Sequence, residues 1–428
     1  MQPLAIRISV WSNILFWSLS LPGVGGLPQI HLIITMMAAL SVRGRFMRLP
    51  RSLLITLGLV SCYGAAVFLT GPCQSDLIRV LSSIALLNIV CVAIWRLIST
   101  INIRRRLLSK DEAAMILIIV TGCVVLEYLF KIFTGPPNDQ LRVGGLYAEP
   151  SHLAISMCPL IFYLWHSVDR QHKVIVFCTS FLLLLASFST TLLLLLILLF
   201  SAEKFKTIFA NKRKIEAIFG LTAIIAVAAF FLASPLGEAT LLRINDTADL
   251  SEDSNLSSLV YANGWQTLAA QLEASSGAGI GFNAMGCEPR VRTEVGAWLE
   301  LIGLEDQNFN DGSFIFSKIG SELGFAGLLA WFSFVIFSLR QPLTPAFDSA
   351  ADNRLFIFSI LVSVALGGLI RSPGYFGGST LMAAFALGLA FRLKPGRKLN
   401  PADRVIEGGG VQPTRRTLST RARLDSQS

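Results

Sequence analysis

Residues 142–152 read Arg-Val-Gly-Gly-Leu-Tyr-Ala-Glu-Pro-Ser-His, and an apolar run from Leu153 to Trp165 follows at once. The residue types suggest anion handling next to proton transfer. Arg142 could pair with a phosphate or diphosphate, because a guanidinium fork meets such oxygens two at a time. Gly144 and Gly145 would let backbone approach a ligand closely. Glu149 and His152 are three apart, so a helix would carry both on one face, and Pro150 between them suits a first helical turn. Either side chain could take a proton from an attacking hydroxyl. Each residue also has a plainer reading. Arg142 could snorkel to the headgroup level, Glu149 could favour the positive end of a helix, and His152 could be an interfacial residue with satisfied ring nitrogens.

Other candidates lie far away in sequence. Arg290 and Arg292 alternate in Glu-Pro-Arg-Val-Arg, within an otherwise acidic stretch; they could close over an anionic head group or pair with Glu288 and Glu294. Arg371 opens Arg-Ser-Pro-Gly-Tyr-Phe-Gly-Gly and could add a cation from another segment. Two further pairs, Glu127 with Lys131 and Lys318 with Glu322, sit in apolar surroundings at a spacing of four. Charges in hydrocarbon are costly and usually paired, so structural pairing is the first reading and a substrate groove the second. No CxxC or CxxH spacing points to zinc or redox chemistry, and neither a metal nor a cofactor site is expected.

These residues need a scaffold, and the composition says which kind. Hydrophobic residues make up 53% and charged residues 15% of the 428, and the mean hydropathy is +0.62. Soluble domains carry about 25% charged residues. One polytopic membrane domain over 1–393 is expected, all-α, with about twelve spans of about 20 apolar residues each. The spans fall near 5–22, 28–42, 52–70, 77–97, 112–133, 152–168, 173–187, 189–203, 216–234, 312–339, 354–371 and 376–393. The block from 173 to 203 must bend near Ser187 to Thr191. Arg7 before an apolar run resembles a signal peptide, but no clear Ala-x-Ala site follows, so an uncleaved first helix is expected.

Charge placement orients the bundle. With both termini inside, 27 of the 36 basic residues fall in inside loops and the tail, as the positive-inside rule requires. The stretch 142–152, the long loop of about 235–311 and the segment 371–379 then share the outer face. The long loop carries twelve acids against three arginines. Helical spacing over Leu256–Leu272 and Val291–Leu304 predicts amphipathic helices that could lie on the membrane surface. Residues 394–428 read as a disordered basic tail suited to the inner leaflet. Topology accounts for the positive charge, so nucleic acid is not an expected partner. Cys73 and Cys287 both fall in outer loops, where a disulfide between them is permitted.

Taken together, Arg142-Val-Gly-Gly-Leu-Tyr-Ala-Glu-Pro-Ser-His-Leu-Ala, then Gly264-Trp265 with Gly277-Ala-Gly-Ile-Gly-Phe-Asn283, then Asp311-Gly-Ser-Phe running into Glu322-Leu-Gly-Phe-Ala-Gly, resemble the O-antigen polymerase and ligase superfamily. The resemblance covers about residues 100 to 380. It implies a membrane glycosyltransferase of the bacterial inner membrane, acting on undecaprenyl-diphosphate-linked oligosaccharides at the periplasmic face. It also implies a chain-length regulator and a flippase as partners beside the lipid bilayer. Glu149 would be the base with His152 as substitute, and Arg142, Arg290, Arg292 and Arg371 would hold the diphosphate. The ligase-like members carry a histidine shortly before the Glu-Leu-Gly helix. Here that neighbourhood reads Asn310-Asp311-Gly312-Ser313, which favours a polymerase of O-antigen or exopolysaccharide over a ligase. A transporter or flippase of lipid-linked sugars is the alternative from another class, although no internal repeat of the transporter kind is visible.

Overall fold

The computed structural model describes residues 4–15, 30–42, 49–70, 77–101, 106–134, 143–147, 149–187, 189–209, 256–286, 291–304, 311–342, 349–371 and 374–393, with Thr222 and Ser254. The chain divides into residues 1–391 and 392–428. The expected span 216–234, apart from Thr222, and the tail 394–428 lie outside the described residues, as do Cys73 and Cys287.

Every described element is a helix. In chain order these are α1 (Leu4–Leu15), α2 (Ile30–Ser41), α3 (Arg51–Thr70), α4 (Leu77–Thr100), α5 (Lys110–Thr134), α6 (Pro150–Ser167), α7 (Arg170–Ser187) and α8 (Thr190–Phe209). They continue with α9 (Leu256–Ala274), α10 (Glu294–Leu301), α11 (Ile315–Arg340), α12 (Ser349–Gly367) and α13 (Gly378–Arg392). The bend expected near Ser187 is the break between α7 and α8, where the Ser189 hydroxyl accepts from Leu192 N–H as a cap and donates to the Pro150 carbonyl. Three of the helices, α4, α5 and α11, are long and apolar enough to cross a membrane. Large apolar side chains face outward on α3 (Leu54, Leu59), α4 (Ile78, Leu81) and α5 (Phe130, Phe133). Such a coat suits lipid and would be a liability in water.

The packing centres on α6. Leu153 to Leu164 are buried without interruption, and α6 packs against α8, α12, α5 and α7. A helix apolar all round belongs in the middle of a bundle. Phe162 meets Phe200 of α8 and Phe358 of α12 at ring-centroid distances of 5.1 and 5.9 Å.

A second centre forms where the long loop returns to the bundle. The stretch Leu256–Leu272 is indeed helical, as α9, but its apolar side packs on the start of α11. Tyr261 and Trp265 each lie 5.0 Å from Phe314. Ser313 and Ser317 hydroxyls donate to the Val260 and Gly264 carbonyls at 2.7 and 2.6 Å. In turn α10 packs on α9 through Val295, Leu299, Leu259 and Val260. The expected span 312–339 is interrupted: Gly324 in α11 adopts φ 62°, ψ −149°. The break frees the Ser321 and Glu322 carbonyls, which accept from Ile280 and Gly281 N–H. Phe325 N–H returns to the Gly277 carbonyl at 2.9 Å. The glycine-rich segment 275–286 therefore completes the backbone hydrogen bonds that the kink leaves open, as buried irregular backbone requires. A Cβ on Gly279 would lie 2.6 Å from Gly324 N, so this contact demands glycine.

Candidate functional site

The first turn of α6 and the segment after α12 supply the site. Glu149 is the N-cap residue of α6, with extended backbone, and its carbonyl accepts from His152 and Leu153 N–H. Its side chain makes no capping bond. The carboxylate instead accepts from the Arg371 guanidinium at 2.7 Å and from the Ser151 hydroxyl at 3.0 Å. Glu149 therefore sits at the positive end of its helix, as the plainer reading has it, and pairs with a distant cation as well.

Burial works against the Glu149 charge, but Arg371, His152 and Ser151 together outweigh it and hold the carboxyl below its ordinary value. His152 stands half-buried one turn along, within electrostatic reach of Glu149, Arg371 and Asp311. Asp311 also approaches the other limb of the segment: a Cβ on Gly374 would lie 3.2 Å from its Oδ1. Sequence reasoning proposed Glu149, His152 and Arg371, and the fold brings all three together over 222 positions of chain separation. It overlooked Asp311 and Ser151 as members. Ser151 was legible, being two residues from Glu149. Asp311 was not, because only the return of the long loop to the bundle carries it there.

Gly144 and Gly145 have a structural task. Tyr147 N–H donates to the Gly144 carbonyl at 3.0 Å, closing a turn. Gly145 has φ +63°, and a Cβ there would lie 2.7 Å from Val124 of α5. Its N–H donates to Glu127 Oε2 at 2.6 Å, while Glu127 Oε1 meets Lys131 at 3.2 Å. The close approach Gly145 permits is thus to α5, and that of Gly144 is to the Tyr147 carbonyl of its own turn. Tyr147 fixes the turn on the other side, its phenol donating to the Ile14 carbonyl at 2.7 Å. Two neighbours therefore clamp the short segment that delivers Glu149, and rigid supports are what a reactive constellation needs.

Next to this lies a closed polar knot. Glu322 is fully buried; its carboxylate accepts from Asn283 and Met285 N–H at 2.7 and 3.1 Å and pairs with Lys318 at 3.4 Å. Tyr375 stacks on Phe282 at 4.7 Å and lies under the Lys318 ammonium. Burial and the neighbouring Glu322 push the Tyr375 phenol well above its ordinary range. Tyr375 is four residues after Arg371, so the knot anchors the segment that presents the guanidinium.

Arg292 is exposed, just before α10. Arg142 and Arg290 lie outside the described residues. Among the described residues no group of three or more His, Cys, Asp or Glu is placed to hold a metal ion. Compared with models of known protein families the chain matches none, and compared with curated proteins it matches none.

Proposed function

We propose that the chain is a polytopic membrane glycosyltransferase with about twelve spans, joining undecaprenyl-diphosphate-linked oligosaccharide units at the outer face of a bacterial inner membrane, as O-antigen and exopolysaccharide polymerases do. Both termini lie inside in this reading. The observation that supports it most is the pairing of Glu149 with Arg371 beside His152, on a clamped turn at the start of a helix buried without interruption from Leu153 to Leu164. The ordered motifs and the basic inside loops support it as well.

The reaction needs a base and a cation in one place. An acceptor hydroxyl attacks the anomeric carbon of the donor glycan. A C–O bond forms there, the bond from that carbon to the diphosphate oxygen breaks, and undecaprenyl diphosphate leaves with the electron pair. The hydroxyl proton passes to Glu149 or His152. Arg371 meets the charge growing on the diphosphate, with Arg142, Arg290 and Arg292 as the further cations of this reading. Preorganised charge is worth most in a partly dry site. The pairing also links the two roles. As Arg371 turns to the diphosphate, Glu149 loses the partner that keeps its proton affinity low and becomes the stronger base when the proton must be taken.

The test is incubation of purified full-length protein with a defined lipid-linked repeat unit, followed by sizing of the product. Wild type should build long chains. Glu149→Gln and Arg371→Ala should insert normally and build none; long chains from both variants would end this reading. Transfer of a preformed glycan to a different acceptor, without growth, would mark a ligase.

A further inference from the structure

We infer that α8 and α12 carry a site for a phosphate group at the opposite end of α6 from Glu149, with Lys206 and Arg354 as its two cations. The neighbourhood is set by aromatic packing. His166 lies one turn beyond Phe162 near the end of α6, at 4.6 Å from that ring, and Phe162 packs against Phe358. Lys206 Nζ sits over the Phe358 ring at 5.0 Å. Arg354 is four residues before Phe358, hence on the same face of α12. Two helices that pack together, α8 and α12, thus contribute the two cations.

The acids nearby pair with other bases, and among the described residues Glu203 Oε2 and both Asp352 oxygens make no hydrogen bond, to the two cations or to others. Glu203 meets His166 at 3.2 Å and Lys204 at 3.4 Å. Asp352 meets Arg106 at 2.5 Å. Among the described residues, Lys206 Nζ and Arg354 Nε are buried from solvent with no hydrogen-bond partner. Burial pushes the Lys206 amine down to about 8. A buried ammonium and a buried guanidinium Nε without acceptors are costly in a partly dry place, and an anion reached by both would remove the cost. A phosphate suits two cations better than a carboxylate does, because it brings more charge and a third acceptor oxygen. The group could belong to a phospholipid head or be free phosphate.

The experiment is titration calorimetry of the full chain in neutral detergent, with dioctanoyl phosphatidylglycerol in one arm and inorganic phosphate in the other. Saturable one-site binding of the lipid alone assigns a headgroup site; binding of both assigns the phosphate group itself. Lys206→Gln and Arg354→Gln should each weaken binding by about fivefold, the share of one basic side chain at an anionic surface. Lys206→Arg should stay within about twofold of wild type by keeping the charge. Far-ultraviolet circular dichroism and gel-filtration elution establish that each variant is folded. Absence of binding in both arms, or unchanged binding in both Gln variants, would overturn the site. Its fate is independent of the polymerase reading, since the measurement involves no glycan.

Discussion

Glu149 and Glu322 are both carboxylates at the place where the long loop meets the bundle, yet they are held in opposite ways. Glu322 is 0% exposed and meets two backbone N–H groups and Lys318. Glu149 is 38% exposed and meets two side chains, Arg371 and Ser151. Backbone donors cannot turn away without unfolding the loop, whereas side-chain donors can rotate to a ligand. Glu322 is therefore built to hold structure, and Glu149 is built to exchange partners.

Substitutions separate the two. The largest effect belongs to Glu322→Ala, which takes the carboxylate from Lys318 and from two loop N–H groups. Breaking a buried pair of this kind costs about 3–5 kcal/mol, and thermal unfolding in detergent should show it as a large fall in Tm. A Tm within a degree or two of wild type would erase the contrast. Next comes Arg371→Ala, expected to leave Tm near wild type but, under the proposed polymerase function, to cut chain elongation by about 100-fold, the scale of losing one transition-state donor. Single-turnover rates with a lipid-linked repeat would measure it; a large stability loss with retained turnover would place Arg371 with Glu322.

Gly145→Ala tests the clamp without touching either carboxylate. The residue would keep a left-handed conformation at about 1–2 kcal/mol and press on Val124. A modest fall in Tm with a weakened elongation rate is expected, and no change in either would show that the turn is not a support. The smallest effect is a pH limb. The Glu149 carboxyl is held below its ordinary value, so its contribution to stability is present above the unfolded-state value and disappears as pH falls through the lower folded-state value. Wild-type activity should likewise persist into acid until Glu149 protonates. Arg371→Gln removes the cation and should move that acid limb to higher pH; an unmoved limb in the residual activity would mean another group sets it.

Periodicity and residue class determined a good part of this. The apolar runs located helices, because a helix that must bury or face lipid on every side needs long uninterrupted apolar sequence. The spacing of Glu149 and His152 determined that they share one end of a helix, and the spacing of Lys318 and Glu322 and of Glu127 and Lys131 determined that each pair could close on itself. Local geometry suffices for such contacts, since a helix fixes neighbours three and four apart.

Only the tertiary structure decided which distant groups meet. Nothing in the run after α12 says that Arg371 will reach Glu149 rather than water or a headgroup, nor that Asp311 will stand near His152. The break at Gly324 was equally hidden, because Glu-Leu-Gly-Phe-Ala-Gly fits an unbroken apolar helix until the loop 275–286 provides hydrogen bonds to replace those the kink gives up. The sequence sets what each segment can do alone. Contacts between segments depend on how the α6-centred bundle and the returning loop pack, and that is a property of the whole chain's burial and hydrogen bonding.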